Sequence, residues 1–167
     1  CDLGVDRLFT YRVLPNLGGL EPAKPPSVKV RNGAGPRHFA FHPGGRFAYV
    51  INELDSTLTT FRYNATTGTL TTVDSVSTLP AGFSDVSYCA DVHVSPSGKF
   101  LYGSNRGHNS IVVFALDTQT GKPTLVEHVS TQGNWPRNFV IDPTGRFLLV
   151  ANQRSDAVIV FRIDSRT

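Results

Sequence analysis

The alternation of apolar and polar residues predicts short strands separated by tight turns. RFAYVIN (Arg46–Asn52) and STLTTFRY (Ser56–Tyr63) are rich in aromatic and β-branched residues, which suit a pleated, half-buried surface. Ahead of them, FAF (Phe39–Phe41) alternates and is short. TLTTVDSVST (Thr69–Thr78) reads as a further strand. HPGGR, SPSGK and DPTGR each place a polar residue, a proline and then a glycine two residues on. Proline fixes φ, glycine accepts positive φ, and the polar side chain bonds back to the turn backbone. No unit holds a 10-residue stretch of helical period.

The pattern recurs. PRHFAFHPGGRFAYVINELDSTLTTFRY begins at Pro36, CADVHVSPSGKFLYGSNRGHNSIVVFAL at Cys89 and PRNFVIDPTGRFLLVANQRSDAVIVFRI at Pro136. They align without a gap, at spacings of 53 and 47 residues. Pro43, Pro96 and Pro143 coincide, as do Gly45, Gly98 and Gly145, Asn52, Asn105 and Asn152, and Phe61, Phe114 and Phe161. A partial copy opens the chain, with Tyr11 in the place of Phe61, 50 residues earlier. A period near 50 marks a repeat architecture. Four antiparallel strands in each repeat describe the blade of an all-β propeller.

The phasing predicts one continuous propeller segment over residues 1–167: the outer half of a blade (1–31), a full blade (36–79), a second full blade (89–131), and three strands of another (136–167). Propellers close with about 4–8 blades. About three blades leave faces uncovered, so the expectation is a segment of a longer protein; the alternative is self-association of short chains into a ring.

In such a blade the first strand is innermost, and its start shares a sheet edge with the end of the second. That places Arg37, His38 and Glu53 at one mouth of the channel. The repeat carries the Glu53 position to Arg106 and Gln153, the Arg37 position to Ala90 and Arg137, and the His38 position to Asp91 and Asn138. Packing positions stay alike between units, whereas these diverge into Glu, Arg, Gln, His and Asp. They read either as parts of one site or as a solvated rim.

Composition narrows the choices. Apolar residues make up 40% and charged residues 17%, a globular balance. The net charge is +3, and Lys and Arg are scattered without a run, which argues against nucleic acid and leaves room for a small anion. No stretch approaches 18 consecutive apolar residues, so no membrane span is expected. Cys1 and Cys89 form no C-x-x-C or zinc spacing and fit a reduced compartment. No nucleophile elbow G-x-S-x-G is present, and G-A-G-P at Gly33–Pro36 lacks the Lys-Ser/Thr of a phosphate loop.

GPRHFAFHPGGRFAYVINELDSTLTTF, SNRGHNSIVVF and GNWPRNFVIDPTGRFLLVANQ resemble the lactonase family of seven-bladed propellers over essentially the whole chain. That family includes 6-phosphogluconolactonase of carbohydrate metabolism and a muconate lactonizing enzyme. The resemblance implies a seven-bladed parent and an active site with two Arg, a Glu and a His. The arginines match Arg37 and Arg106 and the glutamate matches Glu53. The family's His belongs to an earlier blade, most of which is absent here, so this segment alone would lack a complete site, and His38 is not its substitute. The implied function is lactone hydrolysis: Glu53 as general base, with Arg37 and Arg106 on the substrate's phosphate or carboxylate or on the oxyanion. His38, Asp91, Arg137 and Gln153 are expected around the substrate. Lactonisation, or a non-catalytic scaffold of the surface-layer or quinoprotein type, are the alternatives. No metal or other cofactor is required, and a cytoplasmic location is expected.

Other features have plainer readings. His38 and His42 stand i, i+4, about 13 Å apart along a strand and too far for one ion. His42 serves its turn, because Ser95 and Asp142 take its place elsewhere. His93 reads as a satisfied inner-strand residue, while His108 is either a ligand or a bystander. Trp135 reads as packing ahead of substrate stacking. Asn64-Ala65-Thr66 fits a glycosylation acceptor but lies in a turn. Arg46, Lys99 and Arg146 read as exposed turn residues.

Overall fold

In the computed structural model, which describes residues 1–16 and 18–164, the chain is all-β. Leu17 and residues 165–167, which the expected first and last segments include, lie outside the described residues. A two-stranded sheet comes first, pairing β1 (Arg7–Leu14) with β2 (Gly19–Lys29). The next sheet runs β3 (Pro36–Phe41), β4 (Phe47–Asn52), β5 (Thr57–Asn64) and β6 (Thr69–Ser77), each hydrogen-bonded to the next. Strands β7 (Tyr88–Val94), β8 (Phe100–Arg106), β9 (Ser110–Leu116) and β10 (Pro123–Ser130) repeat the arrangement. A three-stranded sheet of β11 (Pro136–Ile141), β12 (Phe147–Asn152) and β13 (Ala157–Arg162) follows. Every pairing is antiparallel, and β7 packs beside both β3 and β11, so the first strands of three sheets adjoin.

The core lies between the sheets. Tyr49, Ile51 and Leu58 of one sheet pack on Cys89, Val92, Leu101, Val112 and Phe114 of the next. Tyr102, Ile111 and Val113 then meet Phe139, Leu148 and Val150. Leu8 and Val30 meet Val50 and Phe61. The repeated phenylalanine therefore seals each blade against its predecessor: Phe61 and Phe114 are buried, while Tyr11 at the same position of the first sheet is exposed.

The three turns are superimposable in their bonds. His42, Ser95 and Asp142 donate N–H to the carbonyls of Phe47, Phe100 and Phe147, and accept from Gly45, Gly98 and Gly145, whose φ values are 69, 73 and 70°. The polar side chains bond back as the sequence predicts: Gly44 N–H donates to His42 Nδ1 (2.9 Å), Phe100 N–H to Ser95 Oγ (3.1 Å) and Phe147 N–H to Asp142 Oδ1 (2.7 Å). His42 also reaches the next blade, donating from Nε2 to the Gly98 carbonyl (3.0 Å).

The repeated asparagines close the loops at the opposite edge. Asn105 Nδ2 donates to the Thr78 carbonyl (2.8 Å) and Asn152 Nδ2 to the Thr131 carbonyl (2.9 Å). Asp6, Ser56, Asn109 and Asp156, each directly before β1, β5, β9 or β13, adopt φ of 55, 52, 56 and 47°. Small polar residues tolerate this left-handed region.

Candidate active site

The register of each first strand breaks where the candidate residues lie. The pairing shifts between Pro36 and His38, between Cys89 and Val92, and between Pro136 and Asn138. An extra residue in one strand bends it and re-aims its side chain. Arg37, Ala90–Asp91 and Arg137 are the residues so displaced, which is why their charges do not follow the strand's own alternation.

Glu53 stands between two arginines from two blades. Its Oε2 lies 2.9 Å from Arg37 Nε and its Oε1 lies 2.8 Å from Arg106 Nη2. The side chains are 17% (Arg37), 21% (Glu53) and 7% (Arg106) exposed, so water screens the cluster weakly. Glu53 is set in place by its own N–H, which donates to the Gly35 carbonyl (2.7 Å). Arg106 donates from Nε to the Tyr88 carbonyl (3.3 Å) and from Nη2 to the Cys89 carbonyl (2.9 Å). Its guanidinium carbon lies 6.0 Å from the centre of the Tyr88 ring and 5.6 Å from that of Trp135. Arg37 donates from Nη1 to the Ala90 carbonyl and to His38 Nε2; its Nη2 carries none of these bonds. Burial lowers the Arg37 pKa, the nearby Arg106 and Arg137 charges lower it further, and Glu53 opposes them.

Asp91 anchors a second cluster. Its side chain is 3% exposed, and it accepts from His38 Nδ1 (2.7 Å), His93 Nε2 (3.3 Å), Asn138 Nδ2 (2.6 Å) and the N–H groups of Val92 (2.9 Å) and Phe139 (3.2 Å). Burial alone would raise its pKa, but the bonds from His38 and His93 and the backbone donor of Phe139 hold it well below the usual carboxylate range. The donors settle the tautomer of His38. Arginine can only donate, so Nε2 accepts from Arg37, and the proton sits on Nδ1, donated to Asp91. Asp91 is thus enclosed by its donors, of which His38 and His93, each 40% exposed, and Asn138 meet solvent.

Arg37, His38, Arg137, Asn138 and Gln153 line an open cleft of about 610 Å³. Arg37 and His38 also border a volume of about 800 Å³ along the inner strands, with Asp91 and His93. Arg137 and Gln153 are exposed, with Arg137 Nη1 donating to Gln153 Oε1 at 3.4 Å. Glu53 and Arg106 are not among the residues lining that cleft; Arg37, ion-paired with Glu53, connects them to it. The structure therefore unites Glu53, Arg37 and Arg106 in one cluster, joins His38 to it through Arg37, and spreads Arg137 and Gln153 along the adjoining rim. No group of three or more His, Cys, Asp or Glu among the described residues is disposed to hold a metal ion.

His93, expected as a satisfied inner-strand residue, lies on β7 and is the second histidine on Asp91; sequence reasoning missed only that it shares this acceptor with His38. The rings of Trp135 and Tyr88 lie against the Arg106 guanidinium; the available signal was that both occupy the repeat position of Gly35, at the entry to the first strand. His108 belongs to another cluster: its Nδ1 is 2.7 Å from Ser110 Oγ, and it packs on Phe83 and His128. Burial, then His128, lowers its pKa.

The fold and the charged rim define a β-propeller whose candidate site lies where inner strands begin. Comparison with known proteins gives the family. A model of the family "Lactonase, 7-bladed beta-propeller" matches residues 1–167, and the chain belongs to that family. It is 43% identical over 145 residues to a 6-phosphogluconolactonase of Bacillus subtilis, covering 84% of this chain and 39% of that protein. A 6-phosphogluconolactonase of Pectobacterium atrosepticum is 41% identical over 137 residues, 82% and 41% of the two chains. The solved structure of a Pseudomonas aeruginosa protein described as a periplasmic gluconolactonase superposes with a TM-score of 0.91 at 40% identity, over 97% of this chain and 45% of that one. The chain thus spans about two fifths of the length of the curated relatives it matches. No helix among the described residues is long and apolar enough to cross a membrane.

Proposed function

We propose that this segment carries part of the active site of a lactone hydrolase acting on a phosphorylated sugar-acid lactone, as the names of its relatives indicate. The observation that carries the reading is the Glu53 carboxylate held between Arg37 and Arg106 from two blades. Each carboxylate oxygen keeps a further lone pair beyond its ion pair. Glu53 accepts a proton from water as the water oxygen attacks the lactone carbonyl carbon. The two electrons of the carbonyl π bond move to its oxygen, and a guanidinium stabilises that oxyanion. Collapse re-forms the carbonyl, breaks the ring C–O bond and returns the proton to the departing ring oxygen. Arg37, with Nη2 outside its internal bonds, and Arg137 on the rim offer forked donors to the substrate's phosphate. His38, Asn138 and Gln153 border the same cleft and complete its polar wall.

The remainder of the site comes from blades outside this segment. Tyr11 and Val13 on β1, and Val158 and Val160 on β13, are 51, 65, 62 and 58% exposed, apolar surface of the kind that adjoining blades cover. Reduced cysteines and a phosphosugar substrate favour the cytoplasm, although one relative is described as periplasmic.

The test is hydrolysis of freshly generated 6-phosphogluconolactone by the complete polypeptide and by its Glu53→Gln variant. Fast turnover in the wild type and a loss of about a hundredfold in the variant, the size expected of a general base, support the reading. Background rates in both overturn it in favour of a rim that only binds anions.

A further inference from the structure

Trp135 is the single tryptophan of the chain and adopts φ = 67°. A bulky residue in the left-handed region is an outlier, and such outliers persist where the surroundings fix them for a purpose. The repeat shows what the backbone needs there. Gly35 holds the same position in an earlier unit at φ = 65°, with a residue type that suits that conformation. The left-handed geometry at Trp135 is enforced from both sides. Its N–H donates to Asn109 Oδ1 (2.9 Å), and its carbonyl accepts from Gln153 N–H (3.0 Å). Asp6 Oδ1 grips Gly35 N–H in the same way at 2.9 Å.

The indole is held between two arginines. The Arg154 guanidinium carbon lies 3.5 Å from the ring centre, and that of Arg106 lies 5.6 Å from it. The edge of Tyr88 closes the group at 6.3 Å. The partners have exchanged in step along the repeat. Leu54, Gly107 and Arg154 are equivalent; Leu54 stands beside Gly35 and Arg154 beside Trp135. Leu54 leans over Gly35, where an added Cβ would meet Leu54 Cγ at 2.6 Å. In the last unit the neighbour is instead a flat cation that stacks on the ring.

We infer that Trp135 is a positioning residue that fixes the Arg106 guanidinium against Glu53. The carbonyls of Tyr88 and Cys89 and the Glu53 carboxylate hold the edges of Arg106. They leave its plane free to tilt. The Trp135 ring, its centre 5.6 Å from the guanidinium carbon, packs against that group and restricts the tilt, as an aromatic neighbour orders an arginine. The inference deepens the lactonase reading, and only its kinetic arm rests on that reading.

The test uses the complete polypeptide with Trp135→Gly, Trp135→Phe and Arg106→Lys substitutions. Glycine suits φ = 67° and occurs at the equivalent Gly35, so Trp135→Gly preserves the backbone while removing the stack. With 6-phosphogluconolactone, kcat falls about tenfold or more in Trp135→Gly with KM nearly unchanged, and Trp135→Phe recovers most of it. In an Arg106→Lys background the same substitution costs little, because the group it positions is already lost. A rise in KM at constant kcat would make Trp135 a substrate platform and overturn the inference, as would unchanged kinetics. A readout independent of turnover separates this inference from the lactonase reading. The Arg106 Nε–H resonance, assigned by its disappearance in Arg106→Lys, exchanges slowly with solvent in the wild type and at least tenfold faster in Trp135→Gly. Equal exchange in the two proteins would overturn the positioning role whether or not the lactone is hydrolysed.

Discussion

Glu53 Oε1 and Arg106 Nη2 lie 2.8 Å apart although they belong to neighbouring sheets. With Arg37 on the other oxygen, the carboxylate is a charged link at the rim of a blade interface whose core is apolar. Removing it leaves two guanidiniums facing each other in a poorly hydrated place. Glu53→Ala is therefore expected to destabilise the protein by about 2–3 kcal/mol, toward the low end for a broken buried pair because the carboxylate keeps some solvent. Urea unfolding measures it. The Glu53→Ala and Arg106→Ala costs should fall short of additivity when combined, as expected of contacting partners.

Asp91 makes a different prediction, one with a pH dependence. Its folded-state pKa is held below the ordinary value of 3.8 by donors from His38, His93 and Phe139, against the opposing effect of burial. A depressed carboxylate contributes stability that is fully present above its unfolded pKa and is lost as pH falls through the folded one. The gap in unfolding free energy between the wild type and Asp91→Asn should therefore be level from about pH 5 upward and shrink below about pH 4. A gap that persists unchanged at pH 3 would mean that the folded-state pKa is not depressed and would overturn the prediction. The gap itself arises because two imidazole N–H groups, an Asn amide and two backbone N–H groups all donate to Asp91, and an amide cannot accept them all.

The blade repeat was legible because it rests on local chemistry. Gly45, Gly98 and Gly145 take positive φ in identical turns, and the strands between them carry the β-branched and aromatic residues that such sheets need. The grouping of Arg37, Glu53 and Arg106 was legible too, through register: equivalent positions in a propeller fall on one rim. The bonds themselves were not. Whether Arg37 turns toward Glu53 depends on the irregularity between Pro36 and His38, a one-residue shift that leaves no mark on the apolar pattern. The depth of Asp91 was hidden for the same reason. At the His38 position of the second blade it reads as another rim residue, yet the shift between Cys89 and Val92 turns it inward onto five donors. Trp135 was ambiguous because its role depends on Arg154 and Arg106, which come near its ring only in three dimensions.

Gly107 sits directly after Arg106 at φ = 99°. A Cβ there would come within 2.2 Å of the Val86 carbonyl oxygen and 3.1 Å of Ser87 Cα. Neither obstacle is a flexible side chain. Gly107→Ala combines that clash with an unfavourable backbone conformation and should cost at least about 2 kcal/mol. The shift must also reach Arg106, whose carbonyl accepts from Ser87 Oγ at 3.0 Å. Thermal unfolding tests the first effect. The Arg106 Nε–H exchange rate tests the second, and both should move together.

Cys89 provides a probe of the same interface. It is fully buried beside Thr78 Oγ1 (3.0 Å) and Asn105 Oδ1 (3.3 Å), and burial pushes its thiol up to about 12, whereas Cys1 is exposed. A thiol reacts as its thiolate and only when reached. A maleimide or disulfide reagent at pH 8 should therefore modify Cys1 promptly and Cys89 at least about a thousandfold more slowly, through transient opening of the blades. The Cys89 carbonyl is one of the acceptors that hold Arg106. Loss of Glu53 loosens Arg106, so Glu53→Ala should accelerate Cys89 labelling by about tenfold or more while leaving Cys1 unchanged, in proportion to the lost free energy of opening. Acceleration without a change in global unfolding would localise the opening to this interface. Unchanged labelling would show that the ion pairs of Glu53 do not hold the blades together, and that the cluster serves the rim alone.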